Sequence, residues 1–487
     1  MKRIYLFILL ASFTLGCQEL DRFPLDQLSE GTFWTNQQQA VQAINGVYNV
    51  LAHDQMYRSF FMQTDGLSAN ALSAFVFSGY LEISENIGWD ARSSVPANFW
   101  GKSYEGVVRA NQVITNVPGI TMDEGLKNRI LGEAHFLRAL FYFHLTNLWG
   151  DVPLIVQIQS VGEQALVSRN PKAQVINQVL SDLEFAIANL PTRSQYPSSE
   201  TGRASKESAH GLKSRVHLYQ KEWANVISEV NAVTQLGYGL VPMSEWPNQF
   251  LPQGNNNTTE SIFEVQFLGF TGSNTGSAFN SIGLPNAPGF GGMGLYPTQN
   301  LANTFEEGDP RKNWTIIFPG ETFAGFLFQP EQLDLNFGVT NLLRKKSVIP
   351  EPNIGGEGSQ NAVVIRYAEM LLNLAEAENE LNGPAAAAPH VNRIRNRVGL
   401  ADLPEGLSTE AMRQAIRKER RLELAFEGHQ YFDLLRYGPQ AMQDAMEMAI
   451  EGIAGHVRVF EPRVMSWPIP QREVDVNPNL LPQNPGW

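Results

Sequence analysis

The chain has 487 residues and a mass of 54.2 kDa, and 43% of its residues are hydrophobic, which is the composition of a globular protein. Its 36 Lys and Arg residues stand against 49 Asp and Glu residues, and this formal charge of −13 argues against a nucleic-acid-binding protein. The single cysteine, Cys17, excludes an intramolecular disulfide framework and a zinc site built from cysteines.

Residues 1–16 have the parts of a secretory signal peptide: a basic start, an apolar run from Ile4 to Leu10, and small residues before Cys17. The apolar run is too short for a permanent transmembrane helix. Its ending, Leu15-Gly16-Cys17, resembles a bacterial lipoprotein signal, which implies removal of residues 1–16 and a lipid on Cys17. The alternative is an ordinary signal followed by a chance cysteine. We predict a secreted protein that is anchored by lipid.

Apolar residues recur at spacings of three and four along much of the remaining chain, which is the period of an α-helix. In the segment 37–51, Val41, Ile44, Tyr48 and Leu51 follow this spacing. The same pattern predicts further helices at 126–149, 173–190, 204–219, 222–236, 362–382, 387–398, 408–427 and 429–449. Several are paired across short turns, as in tetratricopeptide repeats, although too irregularly for a regular array. The sequence therefore predicts a mainly α protein whose helical hairpins form a partial superhelix.

Two segments, about 64–97 and about 240–360, lack this regular pattern and are expected to be rich in loops. The second contains a predicted strand at 261–267 (SIFEVQF), followed by sequence rich in Gly, Asn and Pro up to residue 296. Long ordered loops in a compact domain are usually functional. We expect residues 17–487 to form one domain in which these two segments make the ligand-binding region.

The segment 289–294 (GFGGMG) matches the G-x-G-x-x-G pattern of dinucleotide-binding proteins, but it lacks their structural context. That site needs a strand before the motif and a helix after it, whereas here Pro285 and Pro288 precede it and Pro297 follows. We interpret the segment as a loop without a cofactor.

The acidic residues Glu419, Glu423 and Glu427 would suit a glycosidase if two carboxyl groups faced each other across a cleft. Basic residues at helical spacing lie beside these and other acidic positions, which favours ion pairs over catalysis. The pairs expected from this spacing are Arg366–Glu369, Arg420–Glu423 and Asp433–Arg436. The sequence contains no recognisable catalytic constellation, and we predict that the protein is not an enzyme.

Blocks spread over nearly the whole chain resemble the SusD/RagB family of outer-membrane lipoproteins from Bacteroidetes. The longest is 133–153 (EAHFLRALFYFHLTNLWGDVP), in which Trp149 replaces the commoner tyrosine. Other matching blocks are 25–34 (LDQLSEGTFW), 202–204 (GRA), 262–264 (IFE), 309–311 (DPR), 365–372 (IRYAEMLL), 419–428 (ERRLELAFEG), 432–436 (FDLLR) and 483–487 (QNPGW). By their number and order, these blocks identify the chain as a member of that family.

The resemblance implies a SusD-like fold and a non-catalytic role, the capture of oligosaccharide or polysaccharide at the cell surface. The partner that it implies is a SusC-like TonB-dependent transporter, over whose extracellular mouth the protein sits as a lid. It also implies a location on the extracellular face of the outer membrane, through the lipid on Cys17. No cofactor, metal or nucleic-acid partner is implied.

Aromatic residues in the two loop-rich segments are the candidate ligand contacts. The apolar face of a sugar packs against an exposed aromatic ring, and polar side chains of the protein bind the sugar hydroxyls. The family indicates these regions rather than individual positions. From the first segment we select Trp89, with Phe77 and Tyr80, and with Asp65 and Asn70 as polar neighbours; from the second we select Tyr296, Trp314 and Phe290. The tryptophans in the family blocks are expected to be structural: Trp34, Trp100, Trp149, Trp223, Trp467 and Trp487.

Other functions remain open from the sequence. The nearest alternative is a peptide-binding lid of the same kind of uptake complex, which a cleft poor in tryptophan would favour. A surface glycosidase would release reducing sugar, and a tetratricopeptide-type scaffold would bind other proteins but no sugar.

Overall fold

Helices make up most of the fold, in agreement with the helical spacing of the apolar residues. The computed structural model describes residues 33–74, 90–164, 166–252, 256–269, 275–280, 294–329, 340–350, 357–450 and 458–487. The helices that build the fold are α1 (Gln37–Leu51), α2 (Ser94–Asn116), α3 (Glu124–Trp149), α4 (Lys172–Asn189), α5 (Lys206–Gln220), α6 (Trp223–Thr234), α7 (Gln299–Thr304), α8 (Arg311–Thr315), α9 (Tyr367–Leu381), α10 (Pro384–Arg397), α11 (Thr409–Glu423), α12 (Gln430–Tyr437), α13 (Pro439–Ala449) and α14 (Gln471–Val476).

Side-chain caps determine where several of these helices begin. The Asn36 side chain accepts a hydrogen bond from the Gln39 N–H at 3.1 Å at the start of α1. Asp123 accepts one from the Leu126 N–H at 2.8 Å at the start of α3. Such bonds satisfy backbone donors that have no partner within the first turn. The two helices therefore begin within two residues of the predicted positions, 37 and 126.

α3 is the central helix, and side chains on all of its faces are buried in its second half. Phe136, Phe141 and Tyr142 are fully buried there. α2 packs against α3 so closely that Gly106 has no room for a side chain, because a Cβ at that position would lie 2.3 Å from the Phe141 ring. The aromatic residues of the 133–153 block thus form the centre of the hydrophobic core.

The remaining long helices add to this centre as antiparallel pairs. α4 packs on α3 and α5, α5 pairs with α6, and α6 packs on α9, which pairs with α10. The left-handed residue Lys221, with φ of 59°, ends α5 and permits the short turn into α6. The predicted mainly α fold of helical hairpins is confirmed.

Short antiparallel strand pairs support the loop-rich side of the protein. In the described residues the strands are β1 (Ala71–Ala74), β2 (Ser261–Val265), β3 (Gly294–Pro297), β4 (Ile316–Ile317), β5 (Thr322–Phe323), β6 (Phe326–Leu327), β7 (Leu343–Arg344) and β8 (Ala362–Arg366). They pair as β1 with β3, β2 with β8, β4 with β7, and β5 with β6. The predicted strand at 261–267 is confirmed over Ser261–Val265.

Three differences from the sequence prediction change an element rather than only its limits. Residues 362–366 form β8 instead of the first turn of a helix, because they pair with β2. The predicted helix at 429–449 is divided into α12 and α13 at Gly438, whose φ of 106° is not helical. α2 was not predicted, and its first residues fall in the segment 64–97, which was expected to be a loop.

The tryptophans assigned to structural blocks lie in or against the core. Trp100, Trp149 and Trp467 are buried, and the Trp149 indole N–H donates to the Pro468 carbonyl at 2.7 Å. Trp34, Trp223 and Trp487 are half-buried against the same core. Among the described residues, no helix is both long enough and apolar enough to cross a membrane.

A buried network of ion pairs holds α11 to the elements around it. The Glu423 carboxylate accepts hydrogen bonds from Arg397 at 2.5 Å, from Arg366 at 2.6 Å and from Arg311 at 3.0 Å. Two of the expected pairs are therefore wrong. Arg366 pairs with Glu260, Glu423 and Glu427, and Glu369 pairs with Arg215, whereas Arg420 pairs with Asp433. The expected pair Asp433–Arg436 is confirmed at 2.8 Å.

Candidate functional site

A tight hairpin places an aromatic side chain at the surface of the loop-rich side. β5 and β6 are joined by two residues, Ala324 and Gly325, with φ values of 51° and 82°. Positive φ at both turn positions marks a type I′ turn, whose twist matches that of the paired strands. The hairpin therefore fixes Phe323, at the end of β5, in a half-buried position.

Trp314 reaches the same surface from α8. This helix leads directly into β4, which pairs with β7, and the pairing continues with a hydrogen bond from the Lys345 N–H to the Thr315 carbonyl at 2.9 Å. The register therefore sets Lys345 beside Trp314. The Lys345 Nζ lies 5.5 Å from the centroid of the Trp314 ring.

These side chains border an open surface depression with about 300 Å³ of empty space, open solvent included, which we call the Trp314 hollow. Its floor is largely apolar, since Trp246, Phe250 and Val348 are buried. The Trp246 indole N–H donates to the buried Glu423 carboxylate at 3.1 Å, which fixes the ring. At the rim, the Trp314 side chain is 44% exposed. The hollow is lined by Trp246, Pro247, Phe250, Leu251, Trp314, Phe323, Lys345, Lys346, Ser347, Val348 and Pro350.

The charge beneath the hollow belongs to Lys346, which is satisfied inside the protein. Its ammonium donates to the Glu427 carboxylate at 2.5 Å and to the Glu423 main-chain carbonyl at 3.1 Å. It also lies 4.4 Å from the centroid of the Phe250 ring. Burial lowers the pKa of Lys346 to about 8, because the charged ammonium loses its hydration there.

The charge at the mouth belongs to Lys345. Its Nζ lies near two rings, 5.5 Å from the Trp314 centroid and 5.4 Å from the Phe323 centroid. Its ion-pair partner is Glu321, whose carboxylate oxygen is 3.7 Å away. That distance is too long for a hydrogen bond. The Trp314 hollow thus combines an exposed indole, a second aromatic side chain and one cation at its rim.

Asp65 and Asn70, which we expected beside the ligand, lie buried in the protein. The Asn70 amide donates to Asp65 at 2.7 Å, and the Gly428 N–H donates to the other carboxylate oxygen at 3.2 Å. The Asn70 oxygen accepts a hydrogen bond from Arg421 at 2.9 Å. Burial raises the pKa of Asp65 to about 6. Both side chains are therefore structural, and the expectation that they face a ligand is wrong.

Tyr296 is also buried, contrary to the expectation of an exposed platform. It lies in β3, opposite Leu72 of β1, and its side chain belongs to an apolar cluster with Ile317, Leu343 and Val348. Phe323 and Phe326 of the β5–β6 hairpin pack against the same cluster, which therefore supports the hairpin. Tyr296 therefore supports the Trp314 hollow from beneath.

The other candidates divide between the surface and the undescribed parts of the chain. Trp89, Phe77, Tyr80 and Phe290 lie outside the described residues. Of the candidates that the structure does describe, Trp314 alone is exposed. The other residues that line the same hollow were not among the candidates, and the most important of them are Trp246, Phe323 and Lys345. A local signal existed only for Phe323, since an Ala-Gly pair between apolar residues is compatible with a two-residue hairpin turn.

Glu423 of α11 does not suit the role of the general acid in a glycosidase. Glu423 is buried, which opposes ionisation, but the guanidinium groups of Arg397, Arg366 and Arg311 hold its pKa well below the usual range. A glycosidase acid needs the opposite shift, so that the carboxyl group keeps a proton to donate. Among the described residues, no group of three or more His, Cys, Asp or Glu side chains is placed to hold a metal ion.

Comparison with known families accounts for nearly the whole chain. A model described as "SusD family" matches residues 259–487, and one described as "Starch-binding associating with outer membrane" matches residues 20–218. The chain belongs to the SusD/RagB family. It is 27% identical to SusD-like protein P25 of Formosa agariphila, over 98% of this chain and 97% of that protein.

Solved structures of SusD-like proteins have the same fold. A SusD-like protein from Bacteroides fragilis superposes with a TM-score of 0.80 at 26% identity, covering 96% of this chain and all of the other. A structure named "Laminarin binding SusD-like protein" gives a TM-score of 0.75 at 26% identity, covering 93% of this chain and all of the other. The arrangement of helical hairpins and loop-rich side is thus that of the SusD family.

Proposed function

We propose that this protein is a non-catalytic glycan-binding lipoprotein of the outer membrane, which captures oligosaccharide or polysaccharide and delivers it to a SusC-like TonB-dependent transporter. The observation that carries the proposal is the exposed Trp314 ring at the rim of a cavity with aromatic walls. A similar protein is named for laminarin binding, and a matching family model is described as starch-binding.

The chemistry of the Trp314 hollow supports a saccharide ligand. A sugar ring has an apolar C–H face that buries well against an indole, and hydroxyl groups around its edge. Glu321 and Lys345 provide an acceptor and a donor close to the ring, and Asn313, exposed on α8, is another polar group nearby in the chain. One platform of this size gives modest affinity, which suits a protein that must release its cargo.

A lipid on Cys17 would complete this function. Two or more acyl chains suffice for stable anchoring in a bilayer. An anchored binding protein diffuses in the plane of the membrane that contains its transporter, and the effective concentration of each partner around the other is raised. Capture followed by transfer then needs no diffusion of the glycan through bulk solution.

Affinity electrophoresis through gels that contain single polysaccharides tests the binding. The protein would begin at residue 18, and Trp314→Ala would run beside the wild type and beside Leu327→Ala. Leu327 is a suitable control because it is 47% exposed on the adjacent hairpin and does not line the hollow. We expect one or more glycans to retard the wild type and Leu327→Ala, and Trp314→Ala to lose most of the retardation.

Other outcomes would change the proposal. Retardation that Trp314→Ala keeps would leave glycan binding intact but place the site elsewhere, and Trp89→Ala would then test the first loop-rich segment. No retardation by any polysaccharide would contradict glycan binding and favour the peptide-cargo alternative. Release of reducing sugar by the purified protein would contradict a non-catalytic role.

Anchoring and delivery need separate tests in cells. We expect Cys17→Ser to remove labelling by a radioactive fatty acid and to shift the full-length protein from the membrane fraction to the soluble fraction. Wild-type protein should co-purify with an outer-membrane barrel of the TonB-dependent class after mild detergent extraction. Labelling that persists in Cys17→Ser would contradict the anchor, and purification without a barrel would contradict the delivery step.

A further inference from the structure

We propose that the Trp314 hollow selects acidic saccharides, whose sugar units carry a carboxylate or a sulfate, and that Lys345 is the residue that determines this specificity. The inference rests on the proposed function, because it names the class of glycan that the same hollow takes. It is carried by the position and the incomplete hydrogen bonding of one lysine side chain.

The Lys345 ammonium lies at the mouth of the hollow, and its N–H groups are not used in hydrogen bonds within the described part of the chain. Its side chain is only 19% exposed, so its hydration shell is incomplete. In the part of the chain that the structure describes, no oxygen lies within hydrogen-bond distance of Nζ, and the nearest carboxylate, that of Glu321, is 3.7 Å away. The two aromatic rings near it attract the cation but accept no ordinary hydrogen bond from it. The Lys345 ammonium is therefore a cation that can donate a hydrogen bond to an acceptor on a ligand.

The adjacent Lys346 shows what a purely structural lysine looks like in the same environment. It too lies against two aromatic rings, at 4.9 Å from the Trp246 centroid and 4.4 Å from the Phe250 centroid. Its ammonium, however, donates to a carboxylate at 2.5 Å and to a carbonyl at 3.1 Å. Lys346 thus has its hydrogen-bond acceptors inside the protein, whereas Lys345 keeps its donors at the cavity surface.

An anionic group on a sugar fits this position better than a hydroxyl group does. The ammonium lies about 5.5 Å from both ring centroids, so a pyranose that lies against Trp314 or Phe323 brings its substituents close to it. A hydroxyl oxygen there would replace water with little net gain, whereas a carboxylate or sulfate oxygen forms a charge-assisted hydrogen bond of about twice the strength. The Glu321 carboxylate also attracts the Lys345 ammonium, from 3.7 Å away, so an anionic ligand must compete with the charge of Glu321.

The acidic composition of the whole chain does not oppose this selection. The formal charge of −13 is spread over the entire protein, and exposed charges more than about 8–10 Å away are screened at physiological ionic strength. Of the residues that line the hollow, Lys345 and Lys346 carry charged side chains, and Lys346 donates its hydrogen bonds to Glu427 and Glu423 beneath the hollow. Lys345, with Glu321 beside it, is therefore the charged lining residue at the mouth.

Matched pairs of glycans test the proposal. Polygalacturonate and alginate would be compared with their methyl-esterified forms, and a sulfated galactan with its desulfated form, by affinity electrophoresis and by titration calorimetry of oligosaccharides. The variants are Lys345→Met, which keeps the packing between the rings, and Glu321→Gln, which removes the competing charge. Lys312→Met is the control, because Lys312 lies over the Phe318 ring and does not line the hollow.

We expect the wild type to bind at least one charged glycan and to bind its neutralised form about tenfold more weakly. Lys345→Met should lose about tenfold in affinity for the charged form only, Glu321→Gln should gain about threefold, and Lys312→Met should match the wild type. The carboxylate and sulfate pairs then show which acidic group is taken.

Binding of neutral glycans with no preference for the charged member of any pair would overturn the proposal and leave glycan binding in place. Charged-glycan binding that is unchanged in both Lys345→Met and Glu321→Gln would also overturn it. If no glycan in either form binds, the proposed function itself fails. Unchanged melting temperatures of the variants, measured alongside, ensure that lost binding does not reflect unfolding.

Discussion

Replacement of Asp65 by Asn tests a carboxyl group that was expected beside the ligand and is buried in the protein instead. Asp65 is fully buried, and burial raises its pKa from 3.8 to about 6. The folded protein therefore binds this proton more tightly than the unfolded chain does. The stability that Asp65 contributes is fully present below about pH 4 and is lost as the pH rises through about 6. Asp65→Asn lacks an ionisable group and should lack this dependence.

The size of the effect follows from the two pKa values. A shift of about two pKa units corresponds to about 3 kcal/mol, of which about 2 kcal/mol is lost between pH 4.5 and pH 7.5. For the protein that begins at residue 18, with about 470 residues, an unfolding entropy of about 2.1 cal/mol/K per residue gives about 1 kcal/mol/K in total. The melting temperature of Asp65→Asn, relative to wild type, should therefore rise by about 2 °C between these two pH values.

Thermal and urea unfolding at pH 4.5 and pH 7.5 measure this difference directly. The amide cannot accept both hydrogen bonds from Asn70 and Gly428, but this cost is the same at both pH values and cancels. Asp444→Asn, at an exposed position on α13, is the control and should show no such change. A difference between Asp65→Asn and wild type that stays constant with pH would refute the argument, since Asp65 would then ionise normally.

Three further substitutions test other parts of the fold. Gly428→Ala should lower the free energy of unfolding in urea by about 3 kcal/mol, because φ is 76° and a Cβ would lie 2.5 Å from the Phe61 carbonyl oxygen. Gly438→Ala, which has a positive φ but no atom within 4 Å of the new Cβ, should lower it by about 1–2 kcal/mol. Equal losses in the two variants would contradict the steric clash at Gly428. Between pH 8 and pH 10.5, the free energy of unfolding of the wild type should rise by about 3 kcal/mol relative to that of Lys346→Met, because Lys346 loses its proton at a lower pH in the folded protein than in the unfolded chain. A difference that stays constant with pH would exclude a lowered pKa. Trp487→Ala should lower the melting temperature by about 2 °C through loss of packing and of hydrogen bonds to two carbonyls, whereas an unchanged value would show that the residue does not anchor its segment.

The sequence predicted most helices because the information that forms them is local. α1 and α4 begin and end within one residue of their predicted limits, since apolar spacing and flanking residues determine both. α2 was overlooked because Gly101 and Gly106 lower its helix propensity. The reason for Gly106 is a contact with Phe141, on another helix, which the sequence of α2 does not contain.

The limits of an element that pairs with residues far away in the chain could not be predicted from local sequence patterns. The apolar run 362–366 continues the pattern of the following helix, and it forms a strand only because residues 261–265 pair with it. Gly438, by contrast, was visible in the sequence: a glycine followed by Pro439 is a common helix boundary, so the division between α12 and α13 could have been predicted.

The candidate site was predictable by residue type and region but not by position. Trp314 was selected as an aromatic residue in a loop-rich segment, and it is exposed. Asp65 and Asn70 were selected as polar residues of the other loop-rich segment, but Gly428 and Arg421, more than 350 residues further along the chain, donate hydrogen bonds to them in the interior. The place of Lys345 beside Trp314 depends on the pairing of β4 with β7, which no local pattern indicates.

The Trp314 hollow divides into a floor and a rim that are fixed by different means. Trp246 and Lys346 are tied by their side chains to the ion-pair network around Glu423, whereas the main chain sets Trp314 and Phe323 in place, through strand pairing and a hairpin turn. The side chains of the rim can therefore be exchanged with little effect on folding. Cargo preference could drift in evolution, or be redesigned in the laboratory, by changes at the rim while the architecture beneath stays the same.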